Sequence, residues 1–388
     1  MSTEPTELSA REYLKSIMPT RAMVDHFVGG QDAETEIPVD LGGIMCNNAK
    51  SAYDSEIGWV VCDGFRDGSV DGSRGFYSYD PIDGARMAVN HADKPSRIHT
   101  YGNSFTHCDQ VSDGETWQEY LAAHLQEPIR NYGIGGHSVY QAYRRMLVTE
   151  PSHPAEYVIL NVWDDDHFRN LDTWRSIRMG RRGRFTLPHL RVNLETQTCE
   201  EVDNICPRAE DLYQLLDEDW VWETFKDNPV LKAVMARKHG GNDQAALEAF
   251  GATDLANSGS DAVVYHAQTE AALFATRCTI EKASAFCEEN GKKLLVLLSF
   301  SSRSVRQALA NEPLFDQTFL DWLAVSDYDW FDLREAFRED YARHSVSIDD
   351  YLKPLYIGHH TPAGNFFFAW AIKNWLVEKL DPKPIPYL

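Results

Sequence analysis

The 388-residue sequence has no stretch approaching the roughly 18 consecutive apolar residues that a membrane span needs, so no helical membrane segment is expected. Positive charge is scarce: 37 Lys and Arg stand against 59 Asp and Glu, a net charge of −22 and an isoelectric point near 5.0. That balance argues against duplex nucleic acid as a partner, because phosphate binding needs concentrated positive charge. Cysteine is sparse too, at seven residues (46, 62, 108, 199, 206, 278 and 287), an odd number without CxxC spacing. Neither a disulfide framework nor a zinc knuckle is expected. The first ten residues are acidic and polar with no apolar run behind them, so no secretory or Arg-rich transit signal is visible, and a reduced, cytoplasmic protein is expected. Internal repeats and low-complexity tracts are missing as well. What the chain has is 43% hydrophobic and 12% aromatic residues, enough to bury a core and to exclude intrinsic disorder.

The organisation follows from alternating strand and helix signals. Residues 1–95 read as a polar N-terminal extension packed on the core, with a short helix near Ala10–Met18 and brief strands at Gly58–Cys62 and Gly75–Tyr79. From Arg97 onward strands are expected at Arg97–Tyr101, Ile129–Tyr132, Tyr157–Trp163, Lys293–Phe300 and Asp329–Leu333. Helices are expected at Thr116–Leu125, Val139–Val148, Thr269–Asn290 and from Ala363 to about Leu380. Tyr157–Trp163 is almost wholly apolar, the mark of a strand covered on both faces. The alternation predicts an α/β domain over 96–388 built on a doubly wound parallel sheet. It breaks at about 168–262, a hairpin-like stretch (185–194) followed by an acidic helical stretch (211–249), which we read as an insertion.

In such sheets functional residues belong at the carboxyl ends of the strands. Three segments sit there. Tyr101-Gly102-Asn103-Ser104-Phe105-Thr106 places a serine on a tight strand-to-helix turn, where its oxygen is exposed and backbone N–H groups could meet an oxyanion. Taken alone it is also an ordinary turn and helix cap. Asn131-Tyr132-Gly133-Ile134-Gly135-Gly136-His137-Ser138 lacks the spacing and the downstream acid of a dinucleotide loop, so no cofactor is expected; its glycines suit close backbone approach. Gly358-His359-His360-Thr361-Pro362-Ala363-Gly364 puts a histidine ahead of the last helix, where it could serve as a general base; which of the two faces the site is a matter of orientation.

Together these segments resemble the blocks of the Ser-Gly-Asn-His (SGNH, or GDSL) hydrolase family. Gly102-Asn103-Ser104-Phe105-Thr106 looks like the GDSxT block with Asn103 in place of the Asp, Asn131-x-Gly133-x-x-Gly136 like the second block, and His359 with Gly364 like the HxxxxG end. The resemblance implies a flavodoxin-like doubly wound sheet and a serine esterase without a cofactor. Ser104 would be the nucleophile and His359 the base, and the N–H groups of Ser104 and Gly136 would form an oxyanion hole. The substrate would be an acyl or acetyl ester of a small molecule or sugar. An acyltransferase with the same Ser-His site, or an inactive protein that kept the fold as a scaffold, is an alternative.

Two departures stand out. No Asn ends the strand before Asp164-Asp165-Asp166 where the third block belongs, so either Asn161, Asn170 or a backbone group supplies the third donor, or the hole has two. Tyr356 stands where the family has the acid before His, so Tyr356, Asp349, Asp350 or a carbonyl would orient His359, and a Ser-His dyad is expected rather than a triad. Residues 169–191 carry seven Arg and one Asp, a net +6. Those arginines either pair with the protein's own acids or, with Arg169, Arg175 and Arg178 foremost, recognise an anionic substrate. The Asp164–His167 run is a weak metal candidate, because consecutive side chains cannot converge on one ion; no metal is expected.

Overall fold

Two heptapeptides nearly devoid of polar residues, YVILNVW and KLLVLLS, form the central strands of a five-stranded parallel sheet. The computed structural model describes residues 8–29, 51–61, 63–66, 73–182, 185–254 and 262–388. In chain order the strands are β1 (Ile98–Tyr101), β2 (Ile129–Asn131), β3 (Tyr157–Trp163), β4 (Lys293–Ser299) and β5 (Asp329–Asp332). Their order across the sheet is β5-β4-β3-β1-β2. The chain leaves β1 for β2 on one side and returns to β3 on the other, so the order reverses between β1 and β3. This is the point at which doubly wound sheets open a crevice beyond the strand ends.

Helices flank the sheet. α1 (Ser104–His107) follows β1, α2 (Trp117–Leu125) leads to β2, and α3 (Val139–Thr149) packs on β1 and β3. α4 (Ser302–Leu309) follows β4, α5 (Leu333–Tyr341) packs on β4, and α6 (Pro362–Lys379) packs on α2 and α5. All five expected strands and the expected helices of this sheet are present, so the chain has a mixed α/β architecture compatible with a doubly wound fold. The pairing register sets the level of the site. Tyr101 lies beside Leu160, and Ser299 beside Trp163, so the turn after β1 emerges level with the end of β3.

The chain divides into two compact units. The sheet unit takes in residues 61–166 and 279–388, and the other draws on 8–29, 51–60 and 167–278. In the second unit the helix Ala10–Ile17 packs against the helices Arg175–Met179 and Glu218–Phe225. Tyr13 donates to the Ile177 carbonyl at 2.6 Å and Lys15 pairs with Glu218 at 2.7 Å. Trp174, Phe225 and Phe250 are fully buried there. The hairpin runs from His189–Asn193 to Thr198–Val202 and so extends past the expected 185–194. Asn193 Oδ1 accepts the Thr196 N–H at 2.9 Å and Gln197 takes a left-handed φ of 52°, which turns the chain without a glycine or proline signal. No helix among the described residues is long and apolar enough to cross a membrane. Cys108, Cys199, Cys206, Cys278 and Cys287 are free thiols.

Candidate active site

The turn after β1 is built by side chains that cap their own backbone. Asn103 Oδ1 accepts the Phe105 N–H at 2.8 Å, which starts α1 at Ser104. The Asn103 amide in turn donates to Asp166 Oδ1 at 2.9 Å, and Asp166 Oδ2 accepts the Trp163 N–H at 3.2 Å. The turns after β1 and β3 are thereby tied together where the sheet order reverses. Ser104 is only 6% exposed, and the next residue, Phe105, stacks on Trp163 with ring centroids 4.9 Å apart.

The second glycine turn presses directly on α1. A Cβ on Gly133 would lie 2.3 Å from the His107 backbone nitrogen, so only glycine fits. Asn131 couples the two segments: its Oδ1 accepts the Gly133 N–H at 3.0 Å and its Nδ2 donates to the Thr106 carbonyl at 2.9 Å. The Ile134 N–H donates to the Gly102 carbonyl at 3.0 Å. Gly136 has a φ of 84°, a left-handed value that a side chain would strain.

His359 arrives on a tight turn closed by Ile357 N–H to the His359 carbonyl at 2.9 Å. Behind it, Thr361 caps α6 by accepting the Gly364 N–H at 3.0 Å. A Cβ on Gly364 would lie 2.2 Å from the Leu355 carbonyl oxygen, so the glycine lets α6 approach the loop that carries the histidines. The His359 ring lies 5.0 Å from that of Phe105, the neighbour of Ser104. Its adjacent twin lies as close to Phe105, with ring centroids 5.1 Å apart, and is set apart by burial: His359 is partly exposed and His360 is not. His360 is buried among Phe105, Tyr356 and Phe368, and burial lowers its pKa to about 3, so it is neutral.

The group that meets His359 Nδ1 is Gln110, whose Oε1 lies 2.7 Å from it and also accepts the His359 backbone N–H at 2.7 Å. Sequence reasoning missed Gln110, because a glutamine in a loop 249 positions from its partner leaves no pattern. The expected orienting groups make other contacts. Tyr356 donates its hydroxyl to the Phe300 carbonyl at 3.1 Å, and Asp350 is exposed and accepts from Ser347 at 2.7 Å as part of a helix cap. Beside the site, burial pushes the Cys108 thiol up to about 12, which removes it as a competing nucleophile.

The remaining candidates are equally placed by their partners. Asn161 is fully buried in β3 and its amide donates to Thr106 Oγ1 at 2.9 Å, underneath α1. Asp164 accepts from Ser301 Oγ at 2.5 Å and Ser304 Oγ at 2.7 Å at the start of α4; burial raises its pKa to about 6 against the pull of those serines. His167 Nδ1 meets Thr276 Oγ1 at 2.8 Å, and Asn170 donates to that same hydroxyl at 2.9 Å. Asp164, Asp166 and His167 therefore serve three different partners, and no group of three or more metal-ligating side chains occurs among the described residues. Arg175 and Arg178 both bond to the buried Asp172, at 3.0 Å from Nε in each case, and Arg191 pairs with Glu200 at 3.2 Å. Arg169 is half-buried at the end of the short helix Asp166–Arg169. Asp172 lies inside the Arg-rich segment itself, so the self-pairing of these arginines needs no distant acidic surface.

No family model matches the chain, and no curated protein shows significant similarity to it.

Proposed function

We propose that the chain is a serine esterase of SGNH type. In this reading the sheet is flavodoxin-like, residues 1–95 are an N-terminal extension, and about 168–262 are an insertion in the hydrolase fold. Ser104 Oγ attacks the carbonyl of a carboxylic ester while His359 takes its proton. The tetrahedral oxyanion is met by the backbone N–H groups of Ser104 and Gly136. The proton then passes from His359 to the departing alcohol as the C–O bond breaks, and water repeats the sequence on the acyl-serine.

The observation that carries this reading is the approach of the turn after β1 to the loop that precedes α6. The serine stands at the reversal point of the sheet, and Phe105, next to it, contacts the ring of His359, whose Nδ1 faces Gln110. That arrangement supports a serine, a base and an orienting group in one place. Because the Asn161 amide is engaged by Thr106, we read the hole as relying on its two backbone donors. The substrate class proposed is an acyl or acetyl ester of a small molecule or sugar. Hydrolysis of p-nitrophenyl acetate by the wild type and by Ser104→Ala tests it. The variant should lose at least about 10⁴-fold in kcat, with an unchanged unfolding midpoint. Wild-type turnover in the folded variant would overturn the reading.

A further inference from the structure

Gln110 has features a mere loop residue does not need. It is 4% exposed, and its φ of 79° lies in the left-handed region that non-glycine residues avoid unless the surroundings impose it. The surroundings do impose it. The Gln110 N–H donates to the Tyr77 hydroxyl at 2.7 Å. On either side, the buried Arg86 donates to the carbonyls of His107 at 2.5 Å, Cys108 at 3.0 Å and Val111 at 2.5 Å, and its Nε pairs with Asp113 at 2.8 Å. The segment that carries Gln110 is thus clamped by its own backbone oxygens.

The amide's two ends are distinguished by partners with only one possible role. Gln110 Nε2 lies 2.9 Å from the Ile357 carbonyl, which can only accept, so this end is the NH2 group. The other end lies 2.7 Å from the His359 backbone N–H, which can only donate, so it is the oxygen. That same oxygen faces His359 Nδ1 at 2.7 Å. An oxygen with no hydrogen requires one on the imidazole, so Nδ1 carries the proton and Nε2 keeps its lone pair. Gly358 leaves room for the amide: a Cβ there would lie 3.0 Å from Oε1, and its φ of 114° is unsuited to a side chain.

We propose that Gln110 is the positioning residue of the site: it fixes His359 in the Nδ1–H tautomer and aims Nε2 as the base, so that a neutral amide takes the place a carboxylate holds in a Ser-His-Asp site. The proposal rests on the Ser104–His359 reading for its catalytic meaning, while the tautomer itself is independent of that reading. Arg86 and Tyr77 act one step further out, by holding Gln110. During acylation the serine proton moves to Nε2 as the Oγ–C bond forms. The Nδ1–H bond to Oε1 persists throughout and is strengthened by the positive charge on the ring.

The test uses the full chain labelled with ¹⁵N, with long-range ¹H–¹⁵N correlation at neutral pH to read His359, alongside steady-state hydrolysis of p-nitrophenyl acetate. The wild type should show His359 protonated at Nδ1 and bare at Nε2, although free imidazole side chains favour the opposite tautomer. Gln110→Ala should shift the ring toward the Nε2–H form and lower kcat about 10²-fold while KM moves less than about twofold. Gln110→Glu, which keeps an acceptor at the same reach, should restore most of kcat and the Nδ1–H form. A wild-type His359 in the Nε2–H form, or a Gln110→Ala variant with wild-type kcat and tautomer, would overturn the proposal. Should Gln110→Ala fail to fold, the wild-type spectrum and Gln110→Glu decide it. Loss of the esterase reading has a different signature: Ser104→Ala retains turnover while the Nδ1–H tautomer stands.

Discussion

Asn103 donates its side-chain amide to Asp166 at 2.9 Å, and both residues are almost completely buried. This one bond joins the turn that presents Ser104 to the turn that ends β3, across the place where the sheet order reverses. Asn103→Asp would set two carboxylates against each other and should cost about 2–3 kcal/mol. The double variant Asn103→Asp/Asp166→Asn restores one donor and one acceptor and should recover most of that loss. Urea unfolding of the wild type, both single variants and the double variant closes the cycle. Additive losses would show that the two side chains are not coupled.

Gly133 and Gly291 separate close packing from backbone conformation. Gly133→Ala pushes a methyl group into the backbone of α1 and should destabilise by about 3 kcal/mol, with lost activity. Gly291→Ala meets nothing within 4 Å and bears only the cost of its φ of 66°, about 1 kcal/mol. Equal midpoints for the two variants in thermal unfolding would contradict the assigned approach of the second turn to α1.

The Arg86 clamp predicts a local and a global effect. Arg86→Met leaves Asp113 partly buried without its cation and frees four carbonyls, those of Phe76, His107, Cys108 and Val111, so about 3–5 kcal/mol of stability should be lost. Amide exchange should accelerate first over residues 107–113, with Gln110 among them. Uniform acceleration across the sheet unit would argue that Arg86 acts elsewhere.

His360 makes stability depend on pH. Its folded pKa of about 3 lies below the ordinary 6.5, so the unfolded chain takes up the proton first and stability falls as pH drops through 6.5 toward 3. Between pH 7 and pH 5 this histidine should account for about 2 kcal/mol of lost stability. In His360→Phe the loss over that interval should be smaller by this amount, read from urea midpoints at the two pH values. Parallel curves for the two proteins would mean that His360 is not held neutral.

The sheet was legible because β3 and β4 are covered on both faces and therefore nearly uniform in composition, a signal carried by each strand alone. The turns bearing Ser104, Gly133 and His359 were legible because glycine marks the places where backbone must approach backbone. α4 and α5 had no such local mark beyond their caps, Ser301 and Asp332. The arginine-rich segment shows a different limit: its charge was countable, but the convergence of Arg175 and Arg178 on Asp172 depends on a fold the charge count does not contain. Gln110 lay deepest, since its meaning comes from contacts to Ile357 and His359 that only the closed sheet unit creates.

The most direct measurement of the central claim is intact-mass and peptide mass spectrometry of the chain after exposure to a fluorophosphonate. A single adduct is expected on the peptide containing Ser104, slowed in Gln110→Ala and lost in Ser104→Ala. A folded wild type that forms no adduct, or a Ser104→Ala variant labelled as fast as the wild type, would contradict it.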